Sequence, residues 1–170
     1  MADFYDPFSA AGVPARDRQP EVCELLPGLF VGEYPRLEDI AWLHDEFGIG
    51  AVLSLQDDDD LTLHQLSLPV LDAAYTQHRI AFCRVPVADF NCQSLAASLS
   101  QALDALHGFV QAGQSVFVHC NAGCNRAPTL AIAYLHAHRG LGLEEARDFV
   151  KARRACGPYM QVLYEYFSQP

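Results

Sequence analysis

Three apolar residues, Val116-Phe117-Val118, run directly into His119-Cys120-Asn121-Ala122-Gly123-Cys124-Asn125-Arg126, and a helix-forming stretch that opens Ala127-Pro128-Thr129 follows. No other segment constrains the fold as much. A run this short and this uniformly apolar suits a strand buried on both faces, the situation of a parallel sheet flanked by helices. Pro128 stands near the start of the following helix, where its missing N–H leaves no bond unmade. The chain must therefore pass from a buried strand into a helix through a tight wrap, with Gly123 placed where the backbone needs its freedom.

The rest of the sequence alternates in the same way. Leu29-Phe30-Val31 reads as a short strand after Pro27-Gly28, and Leu37, Ile40, Leu43 and Phe47 recur at helical spacing with Gly48 as the stop. Ala51 to Leu55 is a second buried strand. It empties into the acidic string Asp57 to Asp60, read as a solvated charged turn because it lacks the glycine and spaced ligands of a calcium loop. A helix whose limits the pattern does not define falls within Leu61 to Arg79, and Ile80 to Val87 reads as a strand with Pro86 near its end. Ser94 is placed as the cap of a helix with the apolar face Leu95, Leu99, Ala102, Leu103, Leu106 and Val110, ending at Gly113. Ala127 to His138, Leu143 to Arg154 and Met160 to Phe167 supply three more helices. Strands alternating with helices predict an α/β fold, a single domain with a mostly parallel central sheet flanked by helices. Residues 1–20, with three prolines and no periodicity, read as an irregular N-terminal arm ahead of a domain spanning 21–170.

Composition narrows the partners. Eleven Lys plus Arg against 21 Asp plus Glu leave a net charge of −10, and Lys151 is the sole lysine. The clustered cations that grip a phosphate backbone are missing, so nucleic acid is not expected as a partner. The start carries Asp3 and Asp6 where a signal peptide would be positive, and no stretch approaches the ~18 apolar residues of a membrane span. No membrane contact and a cytoplasmic location are expected; six irregularly spaced cysteines suit a reducing compartment.

A cysteine six positions before an arginine is a weak signal alone: six cysteines and ten arginines in 170 residues produce such a pair by chance roughly a third of a time. Its place between strand and helix strengthens it. Successive N–H groups of a tight loop, together with a helix N-terminus, aim partial positive charge at one point, and Arg126 adds a planar fork for two oxygens of one anion. The same field favours the thiolate of Cys120 over the thiol. The plainer reading of Cys120 is a buried cysteine that happens to follow a strand.

His119-Cys120, Gly123 and Arg126, followed by Ala-Pro and a helix containing Ala133-Tyr134-Leu135, resemble the active-site loop of dual-specificity phosphatases, and the likeness extends over most of the chain. Leu29 to Gly32 resembles that family's first strand, Ala51 to Leu55 its next, and Glu144-Glu145-Ala146 with Arg153-Arg154 the region after the loop helix. The resemblance implies a protein-tyrosine-phosphatase-like fold and hydrolysis of phosphate monoesters through a phosphocysteine. Cys120 is then the nucleophile, Arg126 the phosphate holder and Asp89, in the acid-loop-like Pro86-Val87-Ala88-Asp89-Phe90, the general acid. His119, Asn121, Ala122, Gly123, Cys124 and Asn125 complete the phosphate-binding loop, His119 by ordering it, and neither metal nor other cofactor is implied. One departure stands out: many members carry Ser or Thr after the arginine, where this chain has Ala127.

Most of the family acts on phosphotyrosine, phosphoserine or phosphothreonine in proteins, and that is the broadest expectation for substrate. Leu55-Gln56-Asp57-Asp58, Asp89-Phe90, Arg126-Ala127-Pro128 and Cys156-Gly157-Pro158 resemble the family's glucan phosphatases, with Phe90 as a candidate substrate contact stacking on a sugar, although those enzymes usually carry Gly at the position of Asn125. Inositol phosphates are a third option, with His78, Arg79 and Arg84 as basic groups near the acid loop. From a different class come a catalytically inactive phosphate-binding module and a rhodanese-like sulfurtransferase. Cys124 reads as a small side chain filling the loop, with a redox role as the sharper alternative. Cys120, Cys124, His136 and His138 form an awkward metal set, because a helix begins between them.

Overall fold

The structure, a computed structural model, describes residues 16–168. Five strands, β1 (Val22–Leu26), β2 (Leu29–Gly32), β3 (Ala51–Ser54), β4 (Ala81–Arg84) and β5 (Val116–His119), form one sheet in the order β1-β2-β5-β3-β4. β1 runs antiparallel to β2, and every other pair is parallel. β5 is central, with Val118 opposite Val31 on one side and Leu53 on the other. The helices are α1 (Ile40–Phe47), α2 (Asp58–Leu63), α3 (Leu68–Gln77), α4 (Cys92–Gln111), α5 (Arg126–Arg139), α6 (Leu143–Lys151) and α7 (Met160–Phe167). None of them is long and apolar enough to cross a membrane.

Side chains alternate across the sheet and divide the interior into two cores. Leu29, Val31, Ala51, Leu53, Val116 and Val118 pack with residues of α4, α5, α6 and α7, while Phe30, Val52 and Phe117 face Ile40 and Leu43 of α1, Leu61 of α2 and Leu71 and Tyr75 of α3. Strands buried on both faces have no polar face to display, which is why each reads as an unbroken apolar run.

Several boundaries differ from the expectations, each for a local reason. β1 was not legible: only Leu25 is buried, and its pairing with β2 at the sheet edge, not its own pattern, makes it a strand. The strand expected over Ile80 to Val87 ends at Arg84, although the N–H groups of Val85 and Val87 still donate to Ser54 and Leu55 on either side of Pro86. Asn91, not Ser94, caps α4: its side chain accepts the Ser94 N–H at 2.9 Å, while Ser94 Oγ accepts the Ala88 N–H at 2.9 Å and ties the loop before α4 to the helix. α6 stops at Lys151 because Arg154 turns back toward the loop after β5. The acidic string is not a solvated turn. Asp57 caps α2, accepting the Asp60 N–H at 2.9 Å, and Asp58 to Asp60 form its first turn, where acidic side chains complement the helix dipole. Of the expected N-terminal arm, residues 1–15 lie outside the described residues; Arg16 and Arg18 both pair with Glu33.

All four parallel strands end on the same side of the sheet, and the loop that follows β5 lies there with the segment that follows β4. In open α/β sheets this is where ligands bind. Because Asn91 supplies the first bond of the longest helix, Asn91→Ala should lower stability by about 1 kcal/mol, read as a fall in the urea midpoint with an unchanged denaturant slope.

Candidate active site

Arg126 opens α5 and organises what surrounds it. The residue is 1% exposed, and Nη1 donates to Asp60 Oδ2 at 2.6 Å, to the Val87 carbonyl at 2.7 Å and to the Leu55 carbonyl at 3.4 Å. One nitrogen thus joins the ends of β3 and β4 to α2. Nη2 lies 2.9 Å from Asp89 Oδ2, close enough for an ion pair but not aligned as a hydrogen bond. Among the described residues neither Nε nor Nη2 has an aligned acceptor, so a buried guanidinium presents two donor nitrogens on one edge. Burial opposes the Arg126 charge; the bond from Asp60 and the charges of Cys120, Asp60 and Asp89 outweigh it and keep the guanidinium charged.

Asp60 was missed as a site residue. It is 5% exposed and accepts from Arg126, from Asn121 Nδ2 at 2.6 Å and from the Asp57 N–H at 3.1 Å. Burial alone would raise its carboxyl, but the Arg126 bond and charge, with the Asn121 and Asp57 donors, bring it below the ordinary carboxylate value. A run of four aspartates resembles a solvated face in sequence, and only the packing of α2 against Arg126 singles out the fourth.

The loop between β5 and α5 is held from outside. Arg154 is buried, donating from Nε to the Gly123 carbonyl at 2.6 Å and from Nη2 to the Ala122 carbonyl at 2.8 Å. Gly157 N–H donates to the Cys124 carbonyl at 2.8 Å, and Asn125 Nδ2 to the Gly157 carbonyl at 2.7 Å. Carbonyls engaged by these donors are the counterpart of amides left for an anion. Gly123 has φ +64°, and a Cβ there would collide with the Gly32 carbonyl, so both conformation and space demand glycine. Ala127, in the first turn of α5, is fully buried and offers no hydroxyl.

Cys120 is buried next to Arg126, and the preceding His119 donates from Nδ1 to the Cys120 carbonyl at 3.1 Å. The ring stacks on Phe117, and its Nε2 has no hydrogen-bond partner among the described residues. Burial lowers its pKa to about 4, against a weaker upward pull from the Cys120 backbone bond, so the imidazole is neutral. Asp89 closes the site from the segment between β4 and α4, with its side chain 26% exposed and Oδ1 accepting the Phe90 N–H at 3.0 Å. Phe90 is 69% exposed and adopts φ +52°, an uncommon conformation for a bulky residue.

The structure thus gathers Cys120, Arg126, Asp89 and the loop His119 to Asn125 at the C-terminal ends of the strands, with Phe90 at the rim. It does not bring the expected basic groups there. Arg84 is engaged by Asp58 at 2.7 Å and by the Gln56 carbonyl at 3.2 Å. His78 and Arg79 precede β4 and therefore lie at the opposite end of the sheet from Asp89. His136 and His138 are carried to the far end of α5 from Cys120, roughly 15 Å at ~1.5 Å per residue. There they contact Phe167 and His107, and among the described residues no group of three side chains could hold a metal ion. Cys124 and Cys156 are free thiols whose pKa values burial raises.

A buried strand, a seven-residue loop from cysteine to arginine, and a carboxylate on a neighbouring loop together define a class, and comparison places the chain within it. The model of the dual specificity phosphatase catalytic domain matches residues 29–169, and the chain belongs to that family. Laforin from Mus musculus is 28% identical over 163 residues, spanning 89% of this chain and 48% of laforin, and carries the likeness to the family's glucan phosphatase branch. Dual specificity protein phosphatase 22 from Mus musculus is 28% identical over 133 residues, spanning 78% of this chain and 64% of that protein. The chain therefore spans about half to two thirds of the length of these relatives. The crystal structure of Tk-PTP in its active form superposes with a TM-score of 0.76 at 24% identity, covering 90% of this chain and all of the other.

Neutral His119 has a consequence for stability. An unfolded imidazole titrates near pH 6.5 and the folded one near 4, so between those values the unfolded state binds a proton that the folded state does not. Stability should fall as pH drops through this window, by on the order of 3 kcal/mol from His119. Burial lowers His64 and His138 in the same direction. Urea midpoints at pH 7.5 and 5 should therefore differ, and His119→Gln should shrink that difference without abolishing it.

Proposed function

We propose that the protein hydrolyses phosphate monoesters with Cys120 as nucleophile, Arg126 and the loop amides as the phosphate cradle, and Asp89 as general acid and base. The observation that carries this reading is the buried Arg126, with Nε and Nη2 unaligned to any acceptor among the described residues and with Cys120 and Asp89 beside it. Two parallel donors match two oxygens of a phosphoryl group. In the first step the Cys120 sulfur bonds to phosphorus, the P–O bond to the leaving group breaks, and the Asp89 proton goes to the leaving oxygen. In the second, Asp89 takes a proton from water, whose oxygen bonds to phosphorus as the S–P bond breaks. Arg126 and the loop amides meet the charge that develops on the phosphoryl oxygens, so the mechanism calls for no metal or other cofactor.

Phosphotyrosine, phosphoserine or phosphothreonine in proteins is the substrate class we favour. The rim argues against polyphosphorylated substrates such as inositol phosphates. Asp57 caps α2 and Asp58 and Asp59 open it directly beside Asp60, and Arg84 is already bound to Asp58. A second phosphate would approach these carboxylates with Arg84 already engaged. A phosphorylated glucan is the second reading, favoured by the exposed ring of Phe90 next to Asp89. A reducing compartment such as the cytoplasm would keep the Cys120 thiol free for catalysis.

Phosphate release from a phosphotyrosine peptide, phosphorylated amylopectin and an inositol polyphosphate, with metal chelated throughout, tests the reading. Activity should survive chelation, vanish in Cys120→Ser and fall about 10²- to 10⁴-fold in Asp89→Asn on substrates with poor leaving groups. Activity in Cys120→Ser would sink the mechanism; a wild type inert even toward an aryl phosphate would leave a phosphate-binding module. Thiosulfate sulfurtransferase activity indifferent to Asp89→Asn would instead mark a rhodanese-like enzyme.

Ala127 offers no hydroxyl to the departing thiolate of the second step, and Thr129 in the same turn of α5 gives its hydroxyl to the Asn125 carbonyl at 2.7 Å. Rapid-quench kinetics on an activated aryl phosphate should show a burst of leaving group close to one per active site, and Ala127→Ser should raise the steady-state rate. A progress curve linear from the first turnover would count against slow phosphocysteine hydrolysis.

A further inference from the structure

We infer that Asn121 is a positioning residue for proton transfer, its side-chain amide holding Asp89 in place when a phosphate takes over Arg126. The inference rests on the phosphatase reading above. Asn121 Nδ2 donates to Asp60 Oδ1 at 2.6 Å and to Asp89 Oδ2 at 3.3 Å, and Oδ1 accepts from Gln56 Nε2 at 2.8 Å. Ionised carboxylates only accept, so the NH₂ side of the amide must face the two aspartates, and Gln56 on the other side fixes that orientation. The Asn121 carbonyl accepts the Tyr34 N–H at 2.9 Å. One residue of the phosphate loop is therefore tied to the segments after β2, β3 and β4 and to α2.

Among the described residues, the Asp89 carboxylate is held from outside its own loop by Arg126 Nη2 at 2.9 Å and by Asn121. These two contacts differ in what happens to them during the reaction. A phosphoryl oxygen competes directly with Asp89 for Arg126 Nη2. Asn121 lies on the Asp60 side of the guanidinium, where Nη1 stays committed to Asp60, Val87 and Leu55. An amide is also neutral, and it can donate to a carboxyl whether or not that carboxyl carries its proton. Donation to Oδ2 from outside the loop leaves Oδ1, which accepts the Phe90 N–H of its own loop and keeps a second lone pair, to carry the proton that passes to the leaving oxygen. In the return step the same oxygen takes the proton from water. Gln56 is 1% exposed, so its amide is locked in turn by packing.

The test pairs Asn121→Ala with Asp89→Asn and reads kcat/KM, which reports the steps up to departure of the leaving group, on two monoesters, one with a leaving group that departs unprotonated (a fluorinated umbelliferyl phosphate) and one that needs a proton (phenyl phosphate). Asn121→Ala should lower kcat/KM on phenyl phosphate about 10- to 100-fold, part of the usual general-acid contribution, and less than about threefold on the activated ester. In the Asp89→Asn background it should cause no further loss on phenyl phosphate, because an amide that acts through Asp89 has nothing left to position. Equal losses on both esters, or losses that multiply with Asp89→Asn, would overturn the inference and assign Asn121 to loop structure or to Arg126. Should Asn121→Ala not fold, Gln56→Met releases the amide without removing it and is expected to give the same pattern. A wild type that hydrolyses neither ester overturns both readings; an active wild type with equal losses overturns this one alone.

Discussion

Taking a guanidinium out of water costs several kcal/mol, so the placement of Arg126 depends on what replaces its hydration. Nη1 finds three oxygens: the Asp60 carboxylate and the carbonyls that end β3 and begin the acid loop. These partners come from segments distant in sequence, and the sheet brings them together. The same contacts that make burial tolerable also turn the other edge of the guanidinium toward Cys120 and Asp89. Removing the Asp60 carboxylate would leave the buried cation with the partly exposed Asp89 as its remaining counter-charge at the site, and breaking a buried pair typically costs about 3–5 kcal/mol. The Arg126–Asp60 pair is therefore both the clamp between β3, β4 and α2 and the element that orients Nε and Nη2, the proposed phosphate-binding donors.

A second arginine does complementary work on the outside of the loop. Arg154 draws the Ala122 and Gly123 carbonyls toward itself, and Gly157 and Asn125 secure the next turn. With carbonyls engaged from behind, the loop is shaped by bonds formed before any ligand arrives, which is the condition for electrostatic stabilisation without reorganisation. Neutral His119 belongs to the same device. A buried imidazole whose Nδ1–H is given to the Cys120 carbonyl adds direction at the proposed nucleophile without adding charge.

The acidic character of the chain takes on a specific meaning at this site. A net charge of −10 argues against polyanionic partners in general, and the three aspartates that open α2 concentrate that charge beside the cradle. On the proposed reading, attraction for a phosphate rests on Arg126 and the loop amides, beside carboxylates that would repel a second phosphate, and selectivity for isolated phosphate groups would follow from this short-range contrast more than from the global field.

Much of this was legible from residue order. Val116-Phe117-Val118, Leu29-Phe30-Val31 and Ala51-Val52-Leu53 are apolar throughout because both faces of the sheet are covered, and that pattern survives reading one residue at a time. Cys120, Gly123, Arg126 and Pro128 stand at fixed offsets along one turn, so their juxtaposition is a local property of the chain. Asp60, Asn121 and Arg154 were not legible as partners. Asp60 looks like its three acidic neighbours, Asn121 like any polar loop residue, and Arg154 like the exposed Arg153 beside it. β1 was hidden for a related reason, since an edge strand takes its conformation from β2 and not from a pattern of its own. The sequence by itself determined the parallel sheet, the loop from Cys120 to Arg126 and the chemical types at its two ends. Only the tertiary structure decided which carboxylate buries against Arg126, which reaches its free edge, and which arginine shapes the loop, because these choices depend on long-range packing that no local periodicity records.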